Sequence, residues 1–204
     1  SIIILYLFLK MLKKTLANNT PIKQLGEFGL IDRLTKEIKL KHVGSVFGVG
    51  DDAAVIEAGN KYQLASTDLL VEGIHFNLAY TPLKHLGYKS VAVNVSDICA
   101  MNGVPKQIMI GIAMSNRFTV EAVDELYQGI RLACNHYDID LVGGDTTSST
   151  SGLMLSISIL GEVEKDIITY RGGAKINDLQ PSAQVIVMAA AVSDFKNNSP
   201  SEQK

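Results

Sequence analysis

Cysteine is scarce in this chain. Cys99 and Cys134 are its only two, which excludes a disulfide framework. Both lie in apolar helical patterns and are expected to be reduced core residues, so the chain reads as cytoplasmic. Histidine is also sparse: His42, His75, His85 and His136 are scattered, with no zinc spacing and no metal-ligand pair on one helix face. A long apolar run is lacking. The run at the start of SIIILYLFLKMLKK (Ser1 to Lys14) is about ten residues, against roughly 20 for a bilayer crossing. Basic residues follow that run rather than precede it, and no A-x-A cleavage site appears, so neither a membrane partner nor a signal peptide is expected. Excess charge of one sign is missing too. Lys and Arg total 19, Asp and Glu 21, and the net charge is −2. With no basic cluster beyond doublets, a nucleic-acid partner is not expected. There is no G-x-x-x-x-G-K-[ST], Gly48-Val49-Gly50 lacks the third glycine of a dinucleotide fingerprint, and no G-x-S-x-G or H-x-E…C-x-x-C occurs.

What is present suits one good-sized domain or one domain with an appendage. The chain has 204 residues, 47% hydrophobic and 20% charged. Leu25 to Leu40 reads as an amphipathic helix, with Leu30, Ile31, Leu34 and Ile38 at helical spacing. Val46 to Gly50 leads into an acid pair, and QLAST (Gln63 to Thr67) is a short strand ending at Asp68. Leu83 to Met101 is a long helix on which Leu86, Ser90, Val93, Asp97 and Ala100 share a face. Gln107 to Met114 is a strand, Thr119 caps a helix running to about His136, and Ile139 to Val142 is a short strand delivering Gly143-Gly144-Asp145. Leu153 to Val163 is expected as the longest strand. The order is an α+β (mixed α/β) pattern.

Four acid motifs carry the chemistry: Gly50-Asp51-Asp52, Ser66-Thr67-Asp68, Ser96-Asp97 and Gly143-Gly144-Asp145-Thr146-Thr147. Taken singly, each is a turn, a cap or a surface group. Together they ask for a cation. Adjacent Asp51 and Asp52 repel, and Asp97 sits on a helix face otherwise lined by Val93, Asn94 and Ala100, where a lone charge is expensive. Asp52, Ser66, Thr67, Asp68, Asp97 and Asp145 form an all-oxygen set of the kind magnesium takes along with water and phosphate. Gly143 and Gly144 permit close backbone approach to a phosphate, and Arg171 can meet one as a planar fork.

GEFGLIDRL (Gly26 to Leu34), GVGDDAAV (Gly48 to Val55), ASTDLLVEGIHF (Ala65 to Phe76), KSVAVNVSDICAMNGVP (Lys89 to Pro105), HYDIDLVGGDTT (His136 to Thr147) and TYRGGAKINDL (Thr169 to Leu179) resemble thiamine-monophosphate kinase, a family grouped with aminoimidazole ribonucleotide synthetase and selenophosphate synthetase. The resemblance implies the conversion of ATP and thiamine phosphate to ADP and thiamine diphosphate by direct transfer, without a covalent nucleophile. It implies a four-stranded sheet with flanking helices that pairs with a second subunit into a β-barrel, a homodimer with ATP near the interface. It further implies several magnesium ions held by Asp52, Ser66, Thr67, Asp68, Asp97 and Asp145. ATP contacts would come from Tyr127, Gly144, Asp145 and Arg171, and a thiamine phosphate contact from His75. Asp52 is taken as the ligand of its pair; Asp51 serves the turn or stands behind the metal.

The expected organisation is a leader over residues 1–24, the kinase N-terminal domain over 25–179, and an atypical tail over 180–204. In that tail VIVMAAAVSDFK (Val185 to Lys196) resembles phosphopantothenoylcysteine synthetase. Without the family's C-terminal domain, weak or absent kinase activity is expected of this chain alone. The alternatives are a non-catalytic nucleotide-binding or dimerising module, or another ATPase of the same superfamily.

Overall fold

A computed structural model of the chain describes Lys10 and residues 20–173. Most of the expected leader, the tail 180–204 with its synthetase-like stretch, and residues 174–179 lie outside the described residues. The described residues fall in two units, with Lys10 and residues 20–38 in one and residues 39–173 in the other. In the first, α1 spans Gly26–Thr35 after a single 3-10 turn at Ile22–Gln24. This helix is shorter than the expected Leu25 to Leu40: the Lys36 N–H closes on Asp32 O and the chain then leaves the helix.

The second unit is built on one six-stranded sheet. Its strands are β1 (Ser45–Phe47), β2 (Ala54–Ala58), β3 (Lys61–Val71), β4 (Val104–Met114), β5 (Asp140–Ser148) and β6 (Met154–Glu164), in the order β1-β2-β3-β6-β4-β5. All neighbours are antiparallel except β4 and β5. The expected count of four is therefore corrected to six. A short β1–β2 hairpin adds two strands at one edge, where sequence periodicity is too brief to register.

Two helices follow the expected pattern closely. In α2 (Leu83–Ala100) Leu86, Gly87, Ser90, Val91, Asn94, Val95 and Ile98 are buried, a stripe at three- and four-residue steps. In α3 (Val120–Tyr137) the Thr119 hydroxyl accepts the Ala122 N–H at 3.3 Å, and Asp138 ends the helix in the left-handed region. α2 and α3 cross backbone against backbone: a Cβ on Gly87 would run into the Leu126 carbonyl, and one on Gly129 into that of Lys84. α3 also carries the chain from β4 to its parallel neighbour β5.

α2 lies across β3, β6 and β4. Beneath it β6 buries Leu155, Ile157, Ile159 and Val163, while its even-numbered residues face the other way. That second face carries Thr67, Leu69, Met109, Asp145, Met154, Ser156 and Ser158 in matched rows, and no described helix packs on it. Cys134 is buried as expected. Cys99 is exposed, because it falls off the α2 stripe of Asn94, Val95 and Ile98.

Candidate functional site

The acidic motifs do not form one cage within a chain. They sort into two clusters.

The first gathers where β3, the 50–53 turn and the last turns of α2 meet. Ser66 and Asp68 are on the helix side of β3, and Ser66 Oγ donates to Asp97 Oδ2 at 2.8 Å. Burial raises the Asp97 carboxyl to about 6, helped by the like charges of Asp68 and Asp52 and opposed by Ser66 and Arg171. Asp68 is also raised, again by burial first, with the His75 imidazole acting the other way. Burial leads both shifts, and repulsion from neighbouring carboxylates adds to it at Asp97.

Arg171 belongs here. Its guanidinium pairs with Asp52, and its backbone N–H donates to Asp51 Oδ2 at 2.9 Å. Asp51 also accepts the Asp52 N–H at 2.9 Å, so the carboxylate of Asp51 serves the turn while that of Asp52 points to the cluster. The segment before Arg171 is pinned by Ile167 O accepting from Asn102 Nδ2 at 3.0 Å, by the Thr169 N–H bond to Met101 O, and by Tyr170 resting on Phe47, with ring centroids 5.3 Å apart.

His75 stands on the loop after β3. The Val71 N–H donates to its Nδ1 at 3.0 Å, which leaves Nε2 to carry the proton. Lys89 Nζ donates to the His75 carbonyl at 3.2 Å. Glu72, which no sequence motif singled out, fixes the base of this loop. It accepts the Leu153 N–H at 2.8 Å and pairs with Arg117.

The second cluster lies at the far edge of the sheet. Tyr127 of α3 and Ile110, Leu141, Val142, Gly143, Gly144, Asp145 and Thr146 line a cleft of about 450 Å³. The strand expected to end at Val142 runs on to Ser148, so Gly143-Gly144-Asp145 is the middle of β5. As the last strand, β5 is paired along one edge only and leaves N–H groups of the other edge available. Gly144 is forced by packing, since a Cβ there would strike the Ile110 carbonyl, whereas Gly143 has open space beside it.

Asp68, Ile157, Ile110 and Gly144 form one row across β3, β6, β4 and β5. Three strand spacings of roughly 4.8 Å put Asp68 and Gly144 about 14 Å apart. Thr67 faces away from Ser66 and Asp68. Its hydroxyl donates to Ile157 O at 2.9 Å and lies 3.1 Å from Ser158 Oγ. Asp145 shares that second face, in the row of Leu69. One chain therefore assembles Asp52, Ser66, Asp68 and Asp97 with Arg171 and His75. It places Tyr127, Gly144 and Asp145 elsewhere, and turns Thr67 outward. Among the described residues no three His, Cys, Asp or Glu side chains converge tightly enough to hold a metal unaided. The donor set still fits magnesium, which keeps waters and takes substrate phosphates rather than an all-protein cage.

The family model for the AIR synthase related protein, N-terminal domain, matches residues 50–163. A thiamine-monophosphate kinase of Bacillus subtilis is 36% identical over 156 residues, covering 76% of this chain and 48% of that protein. One of Aquifex aeolicus is 37% identical over 157 residues, covering 77% and 48%. A solved structure titled "AaThiL complexed with AMPPCP and TMP" superposes with a TM-score of 0.68 at 35% identity, over 78% of this chain and 48% of that one. The chain thus spans about half the length of the curated relatives it matches. No helix among the described residues is long and apolar enough to cross a membrane.

Proposed function

The chain belongs to the AIR synthase related protein family through its N-terminal domain, and from that premise we propose that it is the nucleotide- and thiamine phosphate-binding part of a thiamine-monophosphate kinase. Relatives of that name at 36% and 37% identity support the activity. A structural neighbour named for AMPPCP, a non-hydrolysable ATP analogue, and TMP supports ATP and thiamine phosphate as the substrates. The observation within this chain that carries the reading is the meeting of Asp52, Ser66, Asp68 and Asp97 with Arg171 and His75.

In the proposed reaction an oxygen of the thiamine phosphate group attacks the γ-phosphorus of ATP and ADP leaves, with no enzyme-bound intermediate. The work left to the protein is positioning and charge neutralisation. Asp52, Ser66, Asp68 and Asp97 are proposed to hold magnesium, which when bound neutralises and orients the polyphosphate. Arg171 exchanges its partner Asp52 for a phosphate. His75 offers Nε2–H to the phosphate of the acceptor. Tyr127, Gly144 and the edge of β5 receive the nucleotide.

The outward set of Thr67 and Asp145 supports a homodimer with a shared site. A two-fold axis running along the strands between β6 and β4 lays β3 of one copy over β5 of the other, roughly 10 Å away as in packed sheets. Leu69 of one copy then lies opposite Asp145 of its mate, with Thr67 one step along the same face; the two sheets close toward a barrel, and Leu69, Met109 and Met154, all partly exposed, leave water. Both cysteines are free thiols, which fits work in the cytoplasm.

Calorimetric titration of thiamine phosphate into the chain saturated with magnesium and AMPPCP tests the reading. Binding that is lost in His75→Ala is expected. Heat no greater than that from inorganic phosphate would overturn it.

A further inference from the structure

We propose that Met101 is a positioning residue whose thioether sets Asp52 against Asp97. Met101 caps the C-terminus of α2 and is fully buried. Its Sδ accepts the N–H of Ala53 at 3.2 Å. Ala53 is itself 3% exposed and directly follows Asp51-Asp52.

This sulfur bond joins two elements that have no sequence proximity. Asp97 lies four residues before Met101, one turn away on the same helix face. Asp52 lies one residue before Ala53. The bond from Ala53 to Met101 therefore fixes the acidic turn to the helix end that carries the other carboxylate. A buried N–H needs an acceptor. Leucine would fill the same volume, but it offers none and would leave that donor stranded.

The same residue holds the opposite wall. Met101 O accepts the Thr169 N–H at 3.3 Å, and the adjacent Asn102 Nδ2 donates to Ile167 O at 3.0 Å. That pins the segment delivering Arg171 to Asp51 and Asp52. Met101 thus holds the acidic turn with its side chain and the arginine segment with its carbonyl. The metal arm of the test rests on the reading of this cluster given above; the structural arm does not.

The experiment compares Met101→Leu, Met114→Leu and selenomethionine-labelled protein of the full chain. The first readout is amide exchange of Ala53 by NMR. Met101→Leu is expected to speed it by about tenfold, leaving Leu155, Ile157 and Ile159 within about twofold, while the labelled protein matches wild type because selenium still accepts. The second readout is Mn2+ affinity without nucleotide. It is expected to fall several-fold in Met101→Leu and to hold in Met114→Leu, whose residue ends β4 and packs against the core. Ala53 exchange that is unchanged in Met101→Leu, or accelerated equally with the β6 amides, overturns the proposal. So does faster Ala53 exchange with unaltered Mn2+ affinity. A wild-type chain that binds no Mn2+ overturns the metal reading instead, and the exchange arm then decides the role of Met101 by the same criterion.

Discussion

Ser66 Oγ donates to Asp97 Oδ2 at 2.8 Å, joining β3 to α2 at the centre of the acidic cluster. Ser66 is the hydrogen-bond donor that favours the ionised form of Asp97 against burial and two like charges. Ser66→Ala is expected to move the Asp97 titration above its present value of about 6. A 13C-carboxyl titration by NMR checks this; a downward movement would contradict it.

The raised carboxyls make a pH prediction for the metal-free chain. Asp97 ionises near 6 in the fold, against 3.8 for an unperturbed aspartate, so between those values the native state binds more protons than the unfolded one. Stability from this group is full at low pH and is lost as pH rises through about 6, the reverse of a salt-bridged carboxylate. Asp68 shifts the same way. Asp97→Asn is therefore expected to stabilise the metal-free protein at pH 8, by on the order of 1 kcal/mol once solvent screening is allowed for. At about pH 4 it should do little. Urea unfolding at the two pH values measures it, and equal effects would refute it.

The two β5 glycines should part company. Gly144→Ala drives a Cβ into the Ile110 carbonyl and is expected to cost about 2 kcal/mol or more as β5 is forced off β4. Gly143→Ala meets nothing within 4 Å and should stay within about 0.5 kcal/mol of wild type. Thermal unfolding of both variants distinguishes them.

Arg171→Gln separates stability from binding. The pair with Asp52 is largely exposed on the arginine side, at 58%, so its loss is expected to change stability by less than about 1 kcal/mol. Affinity for AMPPCP with magnesium should nevertheless fall about tenfold, as the loss of one charge-assisted phosphate contact would give. Calorimetry and unfolding on the same sample decide it.

The shared site predicts complementation. Thr67→Val and Asp145→Asn chains mixed under conditions that exchange subunits are expected to recover Mg-dependent nucleotide binding that neither shows alone, because one of the two sites in a mixed dimer is intact. Recovery that fails although mixed dimers form would rule out sharing.

Much of the fold was legible in the sequence. The stripe from Leu86 to Ile98 located α2 to within a residue of its end, and Thr119 located the start of α3, because both depend on local contacts. The site was legible as a set of residues but not as an arrangement. The alternation of a strand already implied that Thr67 points away from Ser66 and Asp68, yet the hydroxyls and acid read together as one motif. Gly143-Gly144 looked like a turn because glycine disfavours strands; Gly144 is in one because nothing larger fits against Ile110. The position of Arg171 beside Asp52 depends on bonds from Met101 and Asn102 some 65 residues upstream, and no local pattern encodes a sulfur acceptor.

The most direct test of the magnesium-dependent site is a calorimetric titration of AMPPCP into the full chain with Mg2+ and again with EDTA, for wild type and Asp97→Asn. The expected result is binding that requires Mg2+ and is abolished by Asp97→Asn. Binding of equal strength in EDTA, or binding indifferent to the loss of Asp97, would contradict the assignment of the acidic cluster to metal and phosphate.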